Sequence, residues 1–299
     1  MTHLSPADVT QRDPAARSVP DRSPLDSPSL PEIFPWQLVQ RLGESPLAEV
    51  YRARPSDRGA NALCDYTFKL LKSAWENDAT AVTLFRREAV VGRRVCHPHL
   101  VSVLDCHVSQ PPYFLVMPYL EGVTVEALLA AQGIPAPSVA FWIVRQVAEA
   151  LDALHTAGWI HSDVKPANVL VAPDGHATLL DLGLLRAHEE GARSLEQPVL
   201  GTFQYIAPEA VTSTFRIDAR SDIYSLGVVL FELLTGHRPG RHSAHDVTRY
   251  APELPGATAL LVREMLAGEP LRRPQTAREV VQRLIGLEIA TLAESVPAA

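Results

Sequence analysis

The chain has 299 residues, of which 46% are hydrophobic and 20% charged, and its net charge is −7. This length can bury a sizeable core in one large domain or two lobes, and the acidic balance excludes broad binding of nucleic acid or anionic membranes, which needs a basic face. The longest apolar run, around residues 226–234, is too short to span a membrane, and no signal peptide is visible. Three cysteines cannot form a fully paired disulfide framework, so we expect a reducing, cytoplasmic setting.

The first part of the chain is predicted to be an arm followed by a β-rich segment. Residues 1–32 are rich in proline and serine and are predicted to be disordered. Residues 33–118 are predicted to form strands with one amphipathic helix. The strands are Gln37–Leu42, Glu49–Ala53, Thr67–Leu71, Val101–Leu104 and Tyr113–Met117, and the helix is Thr80–Val95.

Helical periodicity dominates from residue 119 to residue 288, before a short tail at 289–299. The predicted helices are Val125–Ala131, Pro137–Thr156, Asp222–Thr235, Ala257–Ala267 and Ala277–Ala293. A strand pair, Val169–Val171 and Ala177–Leu179, is separated by the turn Asp174–Gly175. A small β-rich segment followed by a larger helical one predicts two lobes with a cleft between them.

Lysine is rare in this chain. Only Lys69, Lys72 and Lys165 occur among 27 cationic residues. Two interpretations are open: coding bias with random survivors, or retention where a compact ammonium performs chemistry that a planar guanidinium does not.

Two short segments, His161–Leu170 and Asp181–Gly183, combine the residue types that phosphate chemistry needs. Asp163 can orient a hydroxyl and accept its proton. Asn168 and Asp181 offer oxygen ligands to Mg²⁺, which takes its other ligands from substrate phosphates. Lys165 can lie against negative charge on a transferring phosphoryl group. An ordinary polar loop is the alternative, but the full spacing does not favour it.

These segments resemble the catalytic loop and the metal-binding Asp-Phe-Gly motif of protein kinases, with Leu182 in place of Phe. Further motifs follow in the family's order over roughly residues 36–285. The resemblance implies an α+β, two-lobed protein-kinase-like fold, with a small β-rich N-lobe carrying one main helix and a larger helical C-lobe. It also implies ATP and Mg²⁺, with Mn²⁺ as an alternative metal, and a protein substrate.

The resemblance assigns roles residue by residue. Asp163, Lys165 and Asn168 match the catalytic residues, and Asn168 and Asp181 match the metal ligands. Lys69 matches the strand lysine that contacts the α- and β-phosphates, and Glu88 matches its ion-pair partner. The other implied nucleotide contacts are Gly43, Val50, Met117, Pro118, Leu120 and Leu170.

Other matches concern substrate class and structure. Lys165, together with Gly201–Thr202 before Ala207–Glu209, is typical of serine/threonine kinases, here of the bacterial, eukaryotic-like type. Asp222 resembles the carboxylate that braces the catalytic loop, and Arg273 resembles the partner of Glu209. Lys72 matches no family position and is expected to be solvated.

The chain departs from the family at several positions. The glycine-rich loop, Gly43–Val50, keeps only its first glycine, and Pro46 makes it stiffer with one fewer N–H donor. Ser162 replaces the usual arginine, and Gly92 replaces a larger apolar residue, which is expected to loosen the main N-lobe helix, where a regulatory partner can act. Two functions therefore stay open: a serine/threonine kinase, or a pseudokinase scaffold with weak or no nucleotide turnover.

Overall fold

The computed structural model describes residues 30, 32–57, 63, 65–188, 204–212, 216–240 and 246–294. The chain divides into two units, Met1–Pro31 and Glu32–Ala299, and every element below belongs to the second. The arm predicted for residues 1–32 lies almost entirely outside the described residues, as do Gly201 and Thr202.

An antiparallel sheet forms the first part of this unit. In chain order its strands are β1 (Glu32–Ile33), β2 (Trp36–Glu44), β3 (Ala48–Pro55), β4 (Tyr66–Leu71), β5 (Asp105–His107) and β6 (Phe114–Pro118). Across the described residues the strand order is β1-β2-β3-β4-β6-β5. The register pairs Lys69 of β4 with Val50 on one side and Leu115 on the other, so Lys69 lies in the interior of the sheet.

Helix α1 (Ala79–Arg94) packs on this sheet. It begins after Asp78, whose side chain accepts a hydrogen bond from the N–H of Ala81 at 2.7 Å and so satisfies one of the free donors of the first turn. The buried face carries Phe85 and Ala89 at helical spacing, and it also buries the carboxylate of Glu88, which is 2% exposed. A buried carboxylate needs a cationic partner, and Lys69 of β4 supplies it at 2.7 Å.

The prediction of a strand at Val101–Leu104 is wrong. The strand beside β6 begins only at Asp105. The N–H of Val101 donates instead to the carbonyl of Leu179 at 2.9 Å, and the N–H of Val103 donates to the carbonyl of Gly92 at 2.9 Å. Only the N–H of Leu104 among these residues donates to β6, to the carbonyl of Val116 at 2.8 Å. Val101 and Val103 are buried because the segment joins α1 to a later hairpin, so their alternation reports burial and not strand pairing.

The space beside Gly92 is occupied by the side chain of Val103. A Cβ added at this position would lie 2.6 Å from Cγ2 of Val103. Gly92 therefore lets the following segment approach α1 closely, and the expected loosening of the helix stays a prediction.

The second part of the unit is mainly helical. Its helices are α2 (Val125–Gln132), α3 (Pro137–Thr156), α4 (Pro208–Thr212), α5 (Ala219–Thr235), α6 (Gly256–Met265) and α7 (Ala277–Glu294). Short strand β7 (Val123–Thr124) precedes α2, and strands β8 (Trp159–Ile160), β9 (Val169–Val171), β10 (Ala177–Leu179) and β11 (Arg186–Ala187) lie between α3 and α4. The predicted α+β, two-lobed fold is confirmed, and in the part of the chain that the structure describes no helix has the length and apolarity of a membrane span.

A buried ion pair joins α4, which carries Glu209, to the segment before α7, which carries Arg273. Arg273 NH1 and NH2 each donate to an oxygen of Glu209 at 2.7 Å. The hydroxyl of Ser221 donates to the same carboxylate at 2.7 Å, and Arg273 also donates to the carbonyls of Ala267 and Arg220. Both charged side chains are almost fully buried, at 0% and 1% exposure.

Arg273→Ala is expected to lower the free energy of unfolding by about 3–5 kcal/mol, because it leaves the Glu209 carboxylate buried without its cation. The neighbouring Arg272 is the matched control: it pairs with Glu269, but its side chain is 78% exposed. Arg272→Ala should cost about 1 kcal/mol or less. Urea unfolding of both variants measures the difference, and equal losses would contradict this account of the buried pair.

Candidate active site

The backbone of the loop from His161 to Asn168 is hydrogen-bonded to the side chain of Asp222, near the start of α5. Oδ2 of Asp222 accepts hydrogen bonds from the N–H of His161 at 2.8 Å and from Nε2 of His155 at 2.9 Å. Oδ1 accepts the N–H of Ser162 at 2.8 Å. Burial by itself would raise the pKa of Asp222, but the hydrogen bond from His155 and the other donors hold that pKa below its usual value.

These bonds sustain a strained backbone. Ser162 has φ 67°, in the left-handed region that non-glycine residues rarely adopt, at a cost of about 1–3 kcal/mol. The bracing role expected of Asp222 is present in the geometry. His155 was missed by sequence reasoning, because only the packing of α3 against α5 brings it to Asp222.

Asp163, Lys165 and Asn168 form one hydrogen-bonded cluster. Oδ2 of Asp163 accepts from Lys165 Nζ at 2.7 Å and from Asn168 Nδ2 at 2.8 Å. Asn168 Nδ2 also donates to the backbone carbonyl of Asp163 at 2.9 Å, which fixes the curvature of the loop. Among the described residues Oδ1 of Asp163 makes no hydrogen bond, so this oxygen is the one available to a hydroxyl.

Burial raises the pKa of Asp163 above its ordinary value, and the ammonium of Lys165 opposes the shift. A carboxylate with a raised pKa holds an accepted proton more readily than one in water, which is the property that a proton acceptor needs.

The ammonium of Lys69 lies between two carboxylates. Its Nζ is 2.7 Å from both oxygens of Glu88 on α1 and 2.7 Å from Oδ1 of Asp181. The ion pair expected between Lys69 and Glu88 is therefore present, and Asp181 joins it. Lys69 and Glu88 are buried, whereas 34% of the Asp181 side chain faces the cleft.

The charges in this cluster shift one another's pKa values. Burial would raise the pKa of Asp181, but Lys69 outweighs burial and holds that pKa at about 2. Burial would lower the pKa of Lys69, and the two carboxylates instead raise it above its usual value. Burial and the nearby charge of Asp181 raise the pKa of Glu88, although Lys69 opposes them. The protonation states of the three groups are thus coupled.

The donor set of Asn168 and Asp181 fits a hard divalent cation. Among the described residues, Asp181 accepts side-chain hydrogen bonds through Oδ1, from Lys69 and from the N–H of Gly183. The side chain of Asn168 makes its hydrogen bonds through Nδ2. The second carboxylate oxygen and the amide oxygen remain as ligands. Within the described residues no group of three or more His, Cys, Asp and Glu side chains could hold a metal, so a cation here needs phosphate and water oxygens as well.

Two adjoining cavities bring all the candidate residues together. The larger, of about 470 Å³, lies between the sheet and the helical part. It is lined by every expected nucleotide contact, namely Gly43, Val50, Lys69, Glu88, Met117, Pro118, Leu120 and Leu170, and by Asn168 and Asp181. The smaller, of about 330 Å³, shares Lys69 and Asp181 and adds Asp163 and Lys165.

Lys72, which is expected to be solvated, is partly exposed, and its side chain also makes a contact that the sequence did not predict. Its Nζ lies 2.9 Å from Oε2 of Glu44 in the loop that replaces the glycine-rich motif. The indole N–H of Trp75 reaches the same loop and donates to the carbonyl of Pro46 at 3.1 Å. Neither contact has a sequence signal, because both depend on how the chain after β4 folds back over the loop.

Lys69→Met is expected to lower the free energy of unfolding by about 3–5 kcal/mol at pH 7, because Glu88 loses the cation that compensates its burial. The loss should shrink as the pH is lowered toward about 4. Without Lys69 the carboxylates of Glu88 and Asp181 take up protons at higher pH than in the parent, where the pKa of Asp181 is about 2, and protonation removes their repulsion.

The double variant Lys69→Met with Glu88→Gln is the control, since it retains only one of the two carboxylates. It should be more stable than Lys69→Met alone at pH 7. Thermal unfolding across pH measures both effects, and a loss that is constant with pH would show that Lys69 acts by packing and not by charge.

Comparison with known proteins agrees with this geometry. The sequence profile of the protein kinase domain matches residues 36–285. A probable serine/threonine-protein kinase of Clostridium perfringens is 31% identical over 259 residues, which are 82% of this chain and 37% of the relative. The serine/threonine-protein kinase PknB of Mycolicibacterium smegmatis is 33% identical over 270 residues, covering 84% of this chain and 42% of the relative.

The serine/threonine-protein kinase PknD of Mycobacterium tuberculosis is 36% identical over 207 residues, which are 69% of this chain and 30% of that protein. The chain therefore spans about two fifths or less of the length of these curated relatives. The profile, in contrast, covers well over half of the chain, in the same stretch that forms the sheet, the helical part and the cleft between them. On these grounds the chain belongs to the protein kinase family.

Proposed function

We propose that this chain is an ATP-dependent serine/threonine protein kinase, which transfers the γ-phosphoryl group of ATP to Ser and Thr hydroxyls of a protein substrate. The observation that carries the proposal is the Asp163 cluster. One carboxylate oxygen is held by Lys165 and Asn168, and the other is open toward a cavity that also contains Lys69 and Asp181. The names of the relatives supply the substrate class.

ATP fits the two cavities in a defined order. The base lies in the larger cavity against Val50 and Leu170, with the backbone after Met117 offering the carbonyl of Pro118 and the N–H of Leu120. The phosphates then extend toward Lys69, whose ammonium is already fixed by Glu88 and needs no reorganisation to meet negative charge.

The transfer step moves one proton and one phosphoryl group. The substrate hydroxyl donates its hydrogen bond to Oδ1 of Asp163 and attacks the γ-phosphorus. Its O–P bond forms, the bond to the β-γ bridging oxygen breaks with its electrons leaving on ADP, and the hydroxyl proton passes to Asp163. Lys165, held 2.7 Å from Oδ2, lies beside the charge that develops on the transferring group.

Asn168 and Asp181 are the residues that would hold the divalent cation, Mg²⁺ with Mn²⁺ as the alternative. When bound, the cation supplies charge neutralisation on the phosphates. In this arrangement Asp181 would have two tasks, since Oδ1 is bonded to Lys69 and Oδ2 would bind the cation.

The second candidate function is a pseudokinase scaffold, and the loop after Gly43 favours it. In the turn at Ser45–Ala48, the N–H groups of Ser45 and Ala48 donate hydrogen bonds within the turn, so fewer N–H groups remain for phosphates. A regulatory partner that contacts α1 is compatible with either function, because α1 carries Glu88.

We place the activity in the cytoplasm, which fits the free thiols of Cys96 and Cys106.

Asp163→Asn is expected to lower kcat by at least about 10²-fold, because the variant cannot accept the hydroxyl proton. Nucleotide affinity should change little, since Asp163 lines the smaller cavity and is not among the residues that line the larger one, where the base is proposed to bind. Transfer of γ-phosphate to a Ser/Thr peptide and nucleotide thermal shift measure the two effects.

Asp174→Asn is the matched control, because Asp174 lies in an exposed turn and bonds only the N–H of His176 among the described residues. It should behave like the parent. No transfer by the parent itself, together with an intact fold, would favour the scaffold.

The acid side of the kcat profile provides a second test. Activity should fall as the pH drops through the pKa of Asp163, which burial raises above 3.8, because the protonated carboxyl cannot act as a base. Lys165→Met removes the cation that opposes this shift, so the fall should occur at higher pH in the residual activity of that variant. Arg272→Ala serves as the unshifted control, and an acid limb that does not move in Lys165→Met would contradict the assignment.

A further inference from the structure

The loop that replaces the glycine-rich motif is a tight turn between β2 and β3. The N–H of Ser45 donates to the carbonyl of Ala48 at 2.7 Å, and the N–H of Ala48 donates back to the hydroxyl of Ser45 at 3.1 Å. Pro46 and Leu47 form the tip of the turn, a position where proline is favoured because its φ is already set. The sequence departures at Ser45, Pro46 and Ala48 therefore build one specific turn.

Two residues beyond β4 fasten this turn from outside. The indole N–H of Trp75 donates to the carbonyl of Pro46 at 3.1 Å, and the backbone N–H of Lys72 donates to the carbonyl of Leu47 at 2.9 Å. The ammonium of Lys72 lies 2.9 Å from the Glu44 carboxylate, and this contact lowers the pKa of Glu44. We call Lys72 and Trp75, with their contacts to Glu44, Pro46 and Leu47, the hairpin latch.

The hairpin latch also connects the turn to the helix that carries Glu88. Lys72 immediately precedes the short 3-10 helix Ser73–Trp75 and Trp75 is its last residue, whose carbonyl accepts the N–H of Asp78 at 3.0 Å. Asp78 in turn caps the first turn of α1. The turn, the latch and α1 are thus joined by consecutive hydrogen bonds.

The turn forms one wall of the smaller cavity, the one of about 330 Å³. Leu47 lines this cavity together with Lys69 and Asp181, and its side chain packs against the buried core. Pro46 has no N–H, and the N–H of Ala48 is bonded to Ser45. Among the described residues no hydrogen bond is made by the N–H of Leu47, which leaves it as the donor at the tip.

We propose that Trp75 and Lys72 are positioning residues that hold the turn in the nucleotide-binding geometry before nucleotide arrives. This inference rests on the proposed function. A glycine-rich loop must be ordered when it closes over phosphates, and that ordering costs conformational entropy. Here the turn is ordered in advance by the latch, so its smaller supply of N–H donors is offset by the absence of that cost.

Trp75→Phe tests the latch, because it removes the indole donor and keeps an aromatic ring at a site that is already 37% exposed. We expect the KM for ATP to rise about threefold to tenfold, the effect of one hydrogen bond, with kcat within about twofold of the parent. Trp142→Phe is the matched control, since the Trp142 indole also donates to a turn carbonyl, that of Gly175 at 3.0 Å, on α3 and away from this loop.

Lys72 provides the rescue test. Lys72→Met should raise the KM for ATP through loss of the Glu44 contact, and Lys72→Arg, which keeps the cation, should restore it. A merely structural role would not separate KM from kcat in this way.

Hydrogen exchange of the nucleotide-free protein tests the latch without catalysis. The amides of Ser45 and Ala48 should exchange faster in Trp75→Phe than in the parent or in Trp142→Phe. If the parent transfers no phosphate, the proposed function fails while this measurement still decides whether the latch orders the turn. Equal exchange in all three proteins, an unchanged KM in Trp75→Phe, or a KM that falls in that variant would overturn the proposal.

Discussion

The Lys69 ammonium holds together three parts of the chain that are far apart in sequence. It lies on a central strand of the sheet, bonds Glu88 on α1, and bonds Asp181 after the β9-β10 hairpin. Lys69 is the one cation beside two carboxylates in a site that is mostly removed from water, and its loss would leave both of them uncompensated. The relative placement of the sheet, α1 and the cleft therefore depends on one cation, and that cation also faces the cavity proposed for the phosphates.

The buried carboxylate of Asp222 holds the backbone of the loop His161–Asn168 in place through hydrogen bonds. Asp222 satisfies two successive backbone N–H groups and the ring of His155, which holds Ser162 in a left-handed conformation. The strain is local, but it determines the direction in which Asp163 leaves the loop. Because α5 is buried along nearly its whole length, the strained loop rests on a rigid support.

The loop after Gly43 is a hydrogen-bonded turn at the position of the family's glycine-rich motif. Glycines allow close approach to phosphates by leaving the backbone free. In this chain Pro46 and the hydroxyl of Ser45 fix the backbone, and Trp75 fastens it to the segment before α1. The choice between a kinase and a scaffold thus depends less on the missing glycines than on whether the fixed turn has the correct shape.

The sequence by itself determined the fold class, the order of the principal elements and the residues that meet in the cleft. The spacing of Asp163, Asn168 and Asp181 carried the resemblance to protein kinases, and that resemblance implied the fold class and the other cleft residues, while helical and strand periodicity indicated the order of the elements. It failed at Val101–Leu104, where burial without strand pairing produces the same alternation as a strand. Only the tertiary structure decided that Val103 fills the space beside Gly92, that His155 reaches Asp222, and that Lys72 and Trp75 fasten the turn. Each of these contacts joins residues whose chemistry is unremarkable in sequence, and only chain packing determines which of them become neighbours.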